Sequence, residues 1–230
     1  MENIMRKWDQ LPENMRNESI RPYYEHLQQH KMGLLVKRIF DFLMALILLL
    51  ILWPILLILG ILVGSTSKGG VFFRQERVTT YGRTFRIFKF RTMVADAEKR
   101  GSQVTTSGDA RVTPIGRFLR KVRLDELPQL LNILTGDMSF VGTRPEVPRY
   151  VEAYSDEMRA TLLLPAGVTS KASIEYKDEE RLLAAGTDVD ATYIHEVLPG
   201  KMKYNLDYLK TFSFGKDIWL MVQTVLAVIR

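Results

Sequence analysis

The sequence predicts an α+β fold: a mainly helical single domain with a β-hairpin, a re-entrant membrane helix and amphipathic interfacial helices. Three observations lead there. Phe42 to Val63 runs for 22 residues without a charge and is interrupted by Pro54. Val71-Phe72-Phe73 and Thr84 to Phe90 are short apolar and aromatic runs on either side of Tyr81-Gly82. Further along, Ile115, Phe118, Leu119 and Val122 recur at helical spacing among Arg117, Arg120, Lys121 and Arg123.

At 230 residues the chain is long enough for one sizeable domain once a membrane segment is subtracted. It divides into a polar arm (1–33), a membrane helix (34–64) and a cytoplasmic domain with interfacial helices (65–230). The absence of cysteine rules out disulfides and thiolate metal sites and fits a reducing compartment, so a metal would need oxygen ligands. A formal charge of +6 suits nucleic acid, anionic lipid or a phosphorylated substrate equally well.

The arm begins Met1 to Lys7 without the apolar core of a signal peptide, so the first hydrophobic segment is expected to stay in the mature protein. Tyr23 to Leu27 suits a short surface helix, and the arm carries no expected chemistry. The 22 uncharged residues would extend about 33 Å as a straight helix, enough to cross a bilayer. Pro54 removes a backbone donor and leaves apolar arms of 12 and 9 residues, each too short to cross. Lys31, Lys37 and Arg38 precede the segment, and Lys68, Arg74 and Arg77 follow it, which would keep both ends cytoplasmic. A helical hairpin or a bent re-entrant helix is therefore expected, with Pro54 at the bend; a kinked bitopic anchor is the alternative.

In the second strand of the expected hairpin, Ile87, Lys89 and Arg91 share one parity, so Lys89 and Arg91 can point together toward an anion. Gly101 to Gly108 is rich in Ser and Thr and reads as a mobile loop or lid. The basic helix around Phe118 suits either an anionic membrane interface or a core-facing stripe with a solvated basic face. Asp125, Glu126 and Pro128 precede Leu130, Leu131, Ile133 and Leu134 and a Gly136 stop, which predicts a helix with Asp125 as N-cap. On its own that acidic pair is ordinary capping. Lys177-Asp178-Glu179-Glu180 reads as a solvated helix start, and His195 as structural. Ile218 to Val222 and Val225 to Ile229 predict a last apolar helix, docked on the domain or lying among headgroups.

Around the acidic pair stand Lys89-Phe90-Arg91-Thr92-Met93 before it and Gly136-Asp137-Met138-Ser139-Phe140-Val141-Gly142-Thr143-Arg144-Pro145-Glu146 after it. With Leu124-Asp125-Glu126-Leu127-Pro128-Gln129 these runs make the chain resemble the bacterial sugar transferases, the small monotopic phosphoglycosyl transferases, from about Lys37 to the C-terminus. The resemblance implies that Asp125 attacks the sugar-bearing phosphate of a UDP-sugar, expels UMP and holds a covalent phosphosugar that polyprenol phosphate then removes. Glu126 would be its partner. Arg120 and Arg144 would bind phosphate or nucleotide, Lys89 or Arg91 would assist, and Asn132 and Asp137 would make buried structural hydrogen bonds. An anionic nucleophile approaching a diphosphate needs its charge spread, so Mg2+ is expected, with Asp125 among its oxygen ligands and substrate phosphates completing the shell.

The same resemblance places the protein at the cytoplasmic face of a bacterial inner membrane, in contact with anionic lipid and without a nucleic-acid partner; homo-oligomerisation stays open. The sequence departs from the family pattern at Trp53, where Ser is common before the proline, at Thr143 for Pro, and across Leu164 to Ser170. Neither the sugar nor the glycan pathway is legible. Two other readings are a non-catalytic lipid-binding scaffold and an anchored phosphotransferase with a soluble substrate. The scaffold has no need of Asp125, Glu126 and the arginines together.

Overall fold

The computed structural model describes residues 4–66, 69–97, 105, 108–177, 179–184 and 188–229. Most of the loop read as a lid lies outside these residues, as does Asp178. The arm is not loose. Two 3-10 turns, Trp8–Gln10 and Glu13–Met15, lead into helix α1, Arg21–Gln29, which opens with Pro22 in its first turn. Ile20, Tyr23, Tyr24 and Leu27 recur on one side of α1 and are buried with Met5, Leu11 and Met15 in the largest hydrophobic cluster of the protein. The expected surface helix is thus a core helix. The polar average of the arm conceals a few apolar residues at helical spacing, enough to dock it.

Helix α2, Lys31–Thr66, continues through Pro54, so no helical hairpin forms. Leu34, Lys37, Asp41, Ala45, Leu48, Leu52, Leu56, Leu59 and Val63 follow one another at steps of three and four and make one continuous inward stripe. The opposite face is apolar and open, with Leu50 68 % and Trp53 60 % exposed. Such a helix is inverted relative to a water-soluble one: its charges face the protein and its hydrocarbon faces out. Among the described residues α2 is long and apolar enough to cross a membrane. Yet its first half packs on the domain through Leu34 and Ala45, and its last turns pack on the same domain through Leu59 and Val63.

Strands β1 (Phe72–Phe73), β2 (Glu76–Val78), β3 (Thr84–Arg86) and β4 (Lys89–Phe90) realise the expected hairpin as two short antiparallel pairs, β1 with β4 and β2 with β3. Ile87 and Phe88 interrupt the second arm, so strict alternation fails between Arg86 and Lys89. Asn132 fills the gap: its Oδ1 accepts from Phe88 N at 2.8 Å and its Nδ2 donates to Arg86 O at 3.1 Å. The structural role expected of Asn132 is the one it has.

Helix α3, Pro114–Lys121, is capped by the Thr113 side chain and buries Leu119 while exposing Phe118. Gly116 lets α3 approach β4's continuation, since a Cβ there would stand 2.1 Å from Thr92 O. A 3-10 turn, Leu124–Gln129, then runs into α4, Leu130–Thr135, which ends at Gly136 with φ 86°. That left-handed stop suits glycine. Arg38 of α2 caps the same end, donating to Ile133 O at 2.7 Å and Leu134 O at 3.2 Å, where the helix dipole favours a cation.

Strand β5 (Met138–Val141) pairs in parallel with β6 (Ala166–Thr169), and the crossover between them carries α5, Pro148–Glu152. Helices α6 (Lys171–Glu175), α7 (Glu179–Ala184) and α8 (Val189–Thr192), a π-helical turn, and α9 (Leu198–Lys210) complete the lobe that receives α1. Helix α10, Phe214–Ile229, packs against α2 and leaves Trp219 58 % exposed, with Val222, Val225 and Leu226 also open.

A buried ion cluster joins α2 to α10. Lys37 Nζ lies 2.7 Å from Asp217 Oδ2, off the direction of a well-aligned hydrogen bond, and 3.9 Å from Asp41. Tyr208 donates to Asp217 Oδ1 at 2.9 Å, and Asp41 accepts from Phe140 N. Replacing Lys37 with Met leaves two buried carboxylates without their cation and should cost about 3–5 kcal/mol. Denaturation in detergent measures this; Lys37→Met/Asp217→Asn should recover part of the loss, and a Lys37→Met protein as stable as the parent would mean that the cluster carries no such charge.

Candidate active site

Three separate stretches supply the site. Lys89 comes from β4, Asp125 and Glu126 from the 3-10 turn, and Arg144 from the segment that leaves β5. Lys89 Nζ lies 2.9 Å from Glu126 Oε1, and Arg144 Nη2 lies 2.6 Å from the same oxygen, with Nη1 3.4 Å from Oε2. Glu126 is therefore gripped from both sides. Its neighbour Asp125 is 6 % exposed, and its Oδ1 has no hydrogen-bond partner.

This asymmetry sets the protonation of the pair. Burial pushes the Asp125 carboxyl up, and the Glu126 charge adds to that; Lys89, Arg120 and Arg144 oppose it without cancelling it. Burial acts on Glu126 in the same sense, but Arg144 and then Lys89 overcome it and hold the carboxyl well below the usual range. The Lys89 ammonium is pushed down by burial despite Glu126, whereas Glu126 raises the Arg144 guanidinium further. One acid is thus a fixed anion and the other is poised to change charge.

The turn that presents them is not the capped helix start that the sequence suggests. Its N-cap is Arg123 in the left-handed region, φ 58° and ψ 19°, and Asp125 sits inside the turn. For a residue with a Cβ that conformation costs roughly 1–2 kcal/mol. The cost is met by packing: Leu124 and Leu127 flank the cluster of Leu59, Val63, Phe90 and Leu119. The end of the long apolar helix α2 therefore lies directly beneath the turn that carries the acids and the strand that carries Lys89.

Arg120 donates from Nε to Thr92 Oγ1 at 2.9 Å, and its field reaches Asp125. Arg91 goes elsewhere: its guanidinium donates to Gly70 O at 3.1 Å and Phe72 O at 3.0 Å, bracing β1 instead of joining Lys89. Strand β4 ends at Phe90, so the alternation that predicted a shared direction does not reach Arg91. Asp137 makes structural bonds, accepting from Thr135 at 2.9 Å and pairing with Arg83 at 2.8 Å. Pro54 lies on the open face of α2, away from these groups. Sequence reasoning passed over Thr92 and Gln129. Gln129 is 1 % exposed and neither of its amide atoms has a partner; a lone Gln inside an apolar helix gives no sequence signal.

Among the described residues no group of three or more His, Cys, Asp or Glu side chains could hold a metal. The partnerless oxygens of Asp125 and Gln129 are nevertheless of the hard kind that Mg2+ takes, and the ion commonly completes its shell with phosphate and water. The residues fit a cation that arrives with a phosphorylated ligand rather than one held by the protein alone.

A carboxylate held as an anion by two cations, a buried carboxyl beside it and a third cation close by give the site the charge balance that suits a phosphorylated ligand. The chain belongs to the bacterial sugar transferase family, which it matches over residues 32–230. It is 33 % identical over 212 residues to the UDP-N-acetylgalactosamine-undecaprenyl-phosphate N-acetylgalactosaminephosphotransferase of Aeromonas hydrophila, covering 87 % of this chain and 47 % of that protein. It is 44 % identical over 125 residues to a putative undecaprenyl-phosphate N-acetylgalactosaminyl 1-phosphate transferase of Bacillus subtilis, covering 54 % of this chain and 70 % of that one. To a UDP-glucose:undecaprenyl-phosphate glucose-1-phosphate transferase of Caulobacter vibrioides it is 34 % identical, covering 82 % and 68 %. The chain thus spans about half the length of the Aeromonas relative.

The Asp125 shift has a consequence for stability. Because its folded pKa lies above the unfolded value, ionisation penalises the folded state as pH rises past the ordinary Asp value of about 3.9. Asp125→Asn should therefore melt at a higher temperature than the parent near neutral pH in chelator, and the gap should close toward pH 3. A neutral-pH melting point below that of the parent would contradict a strained, partnerless carboxyl here.

Proposed function

We propose that this chain is a membrane-bound phosphoglycosyl transferase that moves a sugar 1-phosphate from a UDP-sugar to polyprenol phosphate and releases UMP. The observation that carries this reading is the split pair: Glu126 locked between Lys89 and Arg144 beside a buried Asp125 with an unpartnered oxygen. A non-catalytic lipid-binding surface has no use for such a carboxylate. The Aeromonas hydrophila and Caulobacter vibrioides relatives, each named for a UDP-sugar and undecaprenyl phosphate, support both substrates.

In this reading Lys89, Arg120 and Arg144 bind the donor diphosphate and offset the burial that pushes the Asp125 carboxyl up. The ionised Asp125 oxygen attacks the sugar-bearing phosphorus, the bond from that phosphorus to the UMP oxygen breaks, and an aspartyl phosphosugar remains. A phosphate oxygen of the polyprenol then attacks the same phosphorus and returns Asp125 as a carboxylate. Glu126 stays charged throughout and holds Lys89 and Arg144 in register. Mg2+, bound through Asp125 and the substrate phosphates, would neutralise charge on the diphosphate.

The lipid enters from the membrane on which α2 lies. Its apolar face turned outward, together with both ends packed on one domain, supports a helix that dips into a single leaflet, the cytoplasmic one, rather than one that spans. The open faces of α10 and Phe118 of α3 would sit in the same interface.

Incubation with a panel of UDP-sugars and Mg2+ but no lipid should add one sugar phosphate to the intact mass of the wild type and nothing to Asp125→Asn. Arg144→Lys should lose on the order of a hundredfold in turnover, since an ammonium cannot replace a two-pronged contact. Full turnover in excess chelator would exclude the cation, and substantial turnover by Asp125→Asn would remove it as nucleophile.

Topology has an independent test, made clean by the absence of native cysteine. Single cysteines at the exposed positions Glu25 and Ser65 should be labelled from the same, cytoplasmic side. Labelling from opposite sides would establish a spanning helix.

A further inference from the structure

Behind Arg144 lies a group of buried charges that the chemistry above does not use. Glu146 follows Arg144 by two residues and accepts the Tyr193 hydroxyl on Oε1 at 2.5 Å. Lys201 of α9, 4 % exposed, donates to that hydroxyl at 2.9 Å and pairs with Glu146 at 3.6 Å and with Glu179 of α7 at 2.9 Å. Glu179 was expected to face solvent at a helix start; it begins α7 but turns inward to Lys201. The backbone between is fixed, because Arg77 donates to Pro145 O at 3.0 Å and Val78 N to Glu146 O at 2.9 Å.

Arg144 is thus flanked by acids on two sides. Glu126 holds its guanidinium, while Glu146 and Glu179 are near enough for their fields to add to that of Glu126. Tyr193 adds no third negative charge: burial and then Glu146 push its phenol well above its ordinary value, so it stays neutral. Lys201 is the cation bonded to both rear acids. Without it, the buried Glu146, faced then by Arg77, and the partly exposed Glu179 would draw a long, rotatable guanidinium away from Glu126.

We propose that Lys201 is a positioning residue: by pairing with both Glu146 and Glu179 it offsets part of their charge, keeping Arg144 on Glu126 and turned toward the bound phosphates. This rests on the phosphate-binding reading of the site. The rear cluster therefore acts on the substrate through Arg144 alone and touches nothing that reacts.

Calorimetry with inorganic pyrophosphate and Mg2+, on the full chain in detergent, tests it alongside a melting curve for each variant. Lys201→Met should bind about tenfold more weakly than the wild type, and Lys201→Met/Glu179→Gln, which removes one competing acid, should return to within about threefold. A folded Lys201→Met that binds as the wild type does, or a loss that the double variant does not recover, overturns the proposal. Should Lys201→Met not fold, Tyr193→Phe loosens Glu146 while keeping every charge, and should weaken binding about threefold; unchanged binding there overturns it equally. A wild type that binds no pyrophosphate would sink the phosphate-site reading itself, and is told apart from the other results by needing no variant.

Discussion

The Glu126 carboxylate is held by two cations that arrive from different parts of the chain, Lys89 from the end of the hairpin and Arg144 from the exit of β5. Three half-buried charges crowded together are tolerable only when each has its partner at short range. That requirement fixes the relative placement of β4, the 3-10 turn and the segment after β5, and the surrounding contacts serve it. Asn132 clamps the break before Lys89, and Thr79 ties β5 to β6 by donating to Asp137 O at 2.6 Å and accepting from Ala166 N at 3.1 Å. With both cations committed to Glu126, Asp125 lies beside them with an oxygen that bonds to nothing in the protein.

The second constraint is the inverted helix. Long apolar helices usually bury hydrocarbon, but α2 turns Lys37 and Asp41 inward along with one stripe of leucines and leaves a broad apolar face, Leu50 and Trp53 among it, outward. An outward apolar face of that size is the kind of surface that marks contact with another apolar phase or partner. Because Leu59 and Val63 share a cluster with Phe90, Leu124 and Leu127, the end of α2 and the acidic turn are one packed unit.

Strain and unmet polar groups gather at the same place. Arg123 is left-handed, Asp125 Oδ1 and the Gln129 amide lack partners, and all three lie within seven residues of one turn. Among the described residues Tyr81 is also left-handed, and single atoms of His26, Arg77 and Asp217 also lack hydrogen-bond partners, but none of these falls within the Arg123 to Gln129 turn, which gathers three such features. Thr113 caps α3, Pro22 opens α1 and Gly136 closes α4 by ordinary local rules.

By itself the sequence determined the long apolar helix, the hairpin, the helix that ends at Gly136 and the residues Lys89, Asp125, Glu126 and Arg144, because each rests on a short-range pattern or a compact motif. It could not determine the direction of Arg91, the docking of the first thirty residues, or the inward turn of Glu179. Those depend on a broken strand, on burial against distant helices and on a charge more than twenty residues away, none of which leaves a periodic trace. Two readings turned on the same distinction. Asp125 looks like a helix cap in sequence, since an acid before Pro and a run of leucines is the usual capping pattern; only tertiary packing, by forcing Arg123 into the left-handed region, moves the cap back and leaves the carboxyl buried. Pro54 looks like the break in a hairpin, since it cannot donate to the preceding turn; only the unbroken stripe from Leu34 to Val63, docked along the domain, keeps the helix whole through it.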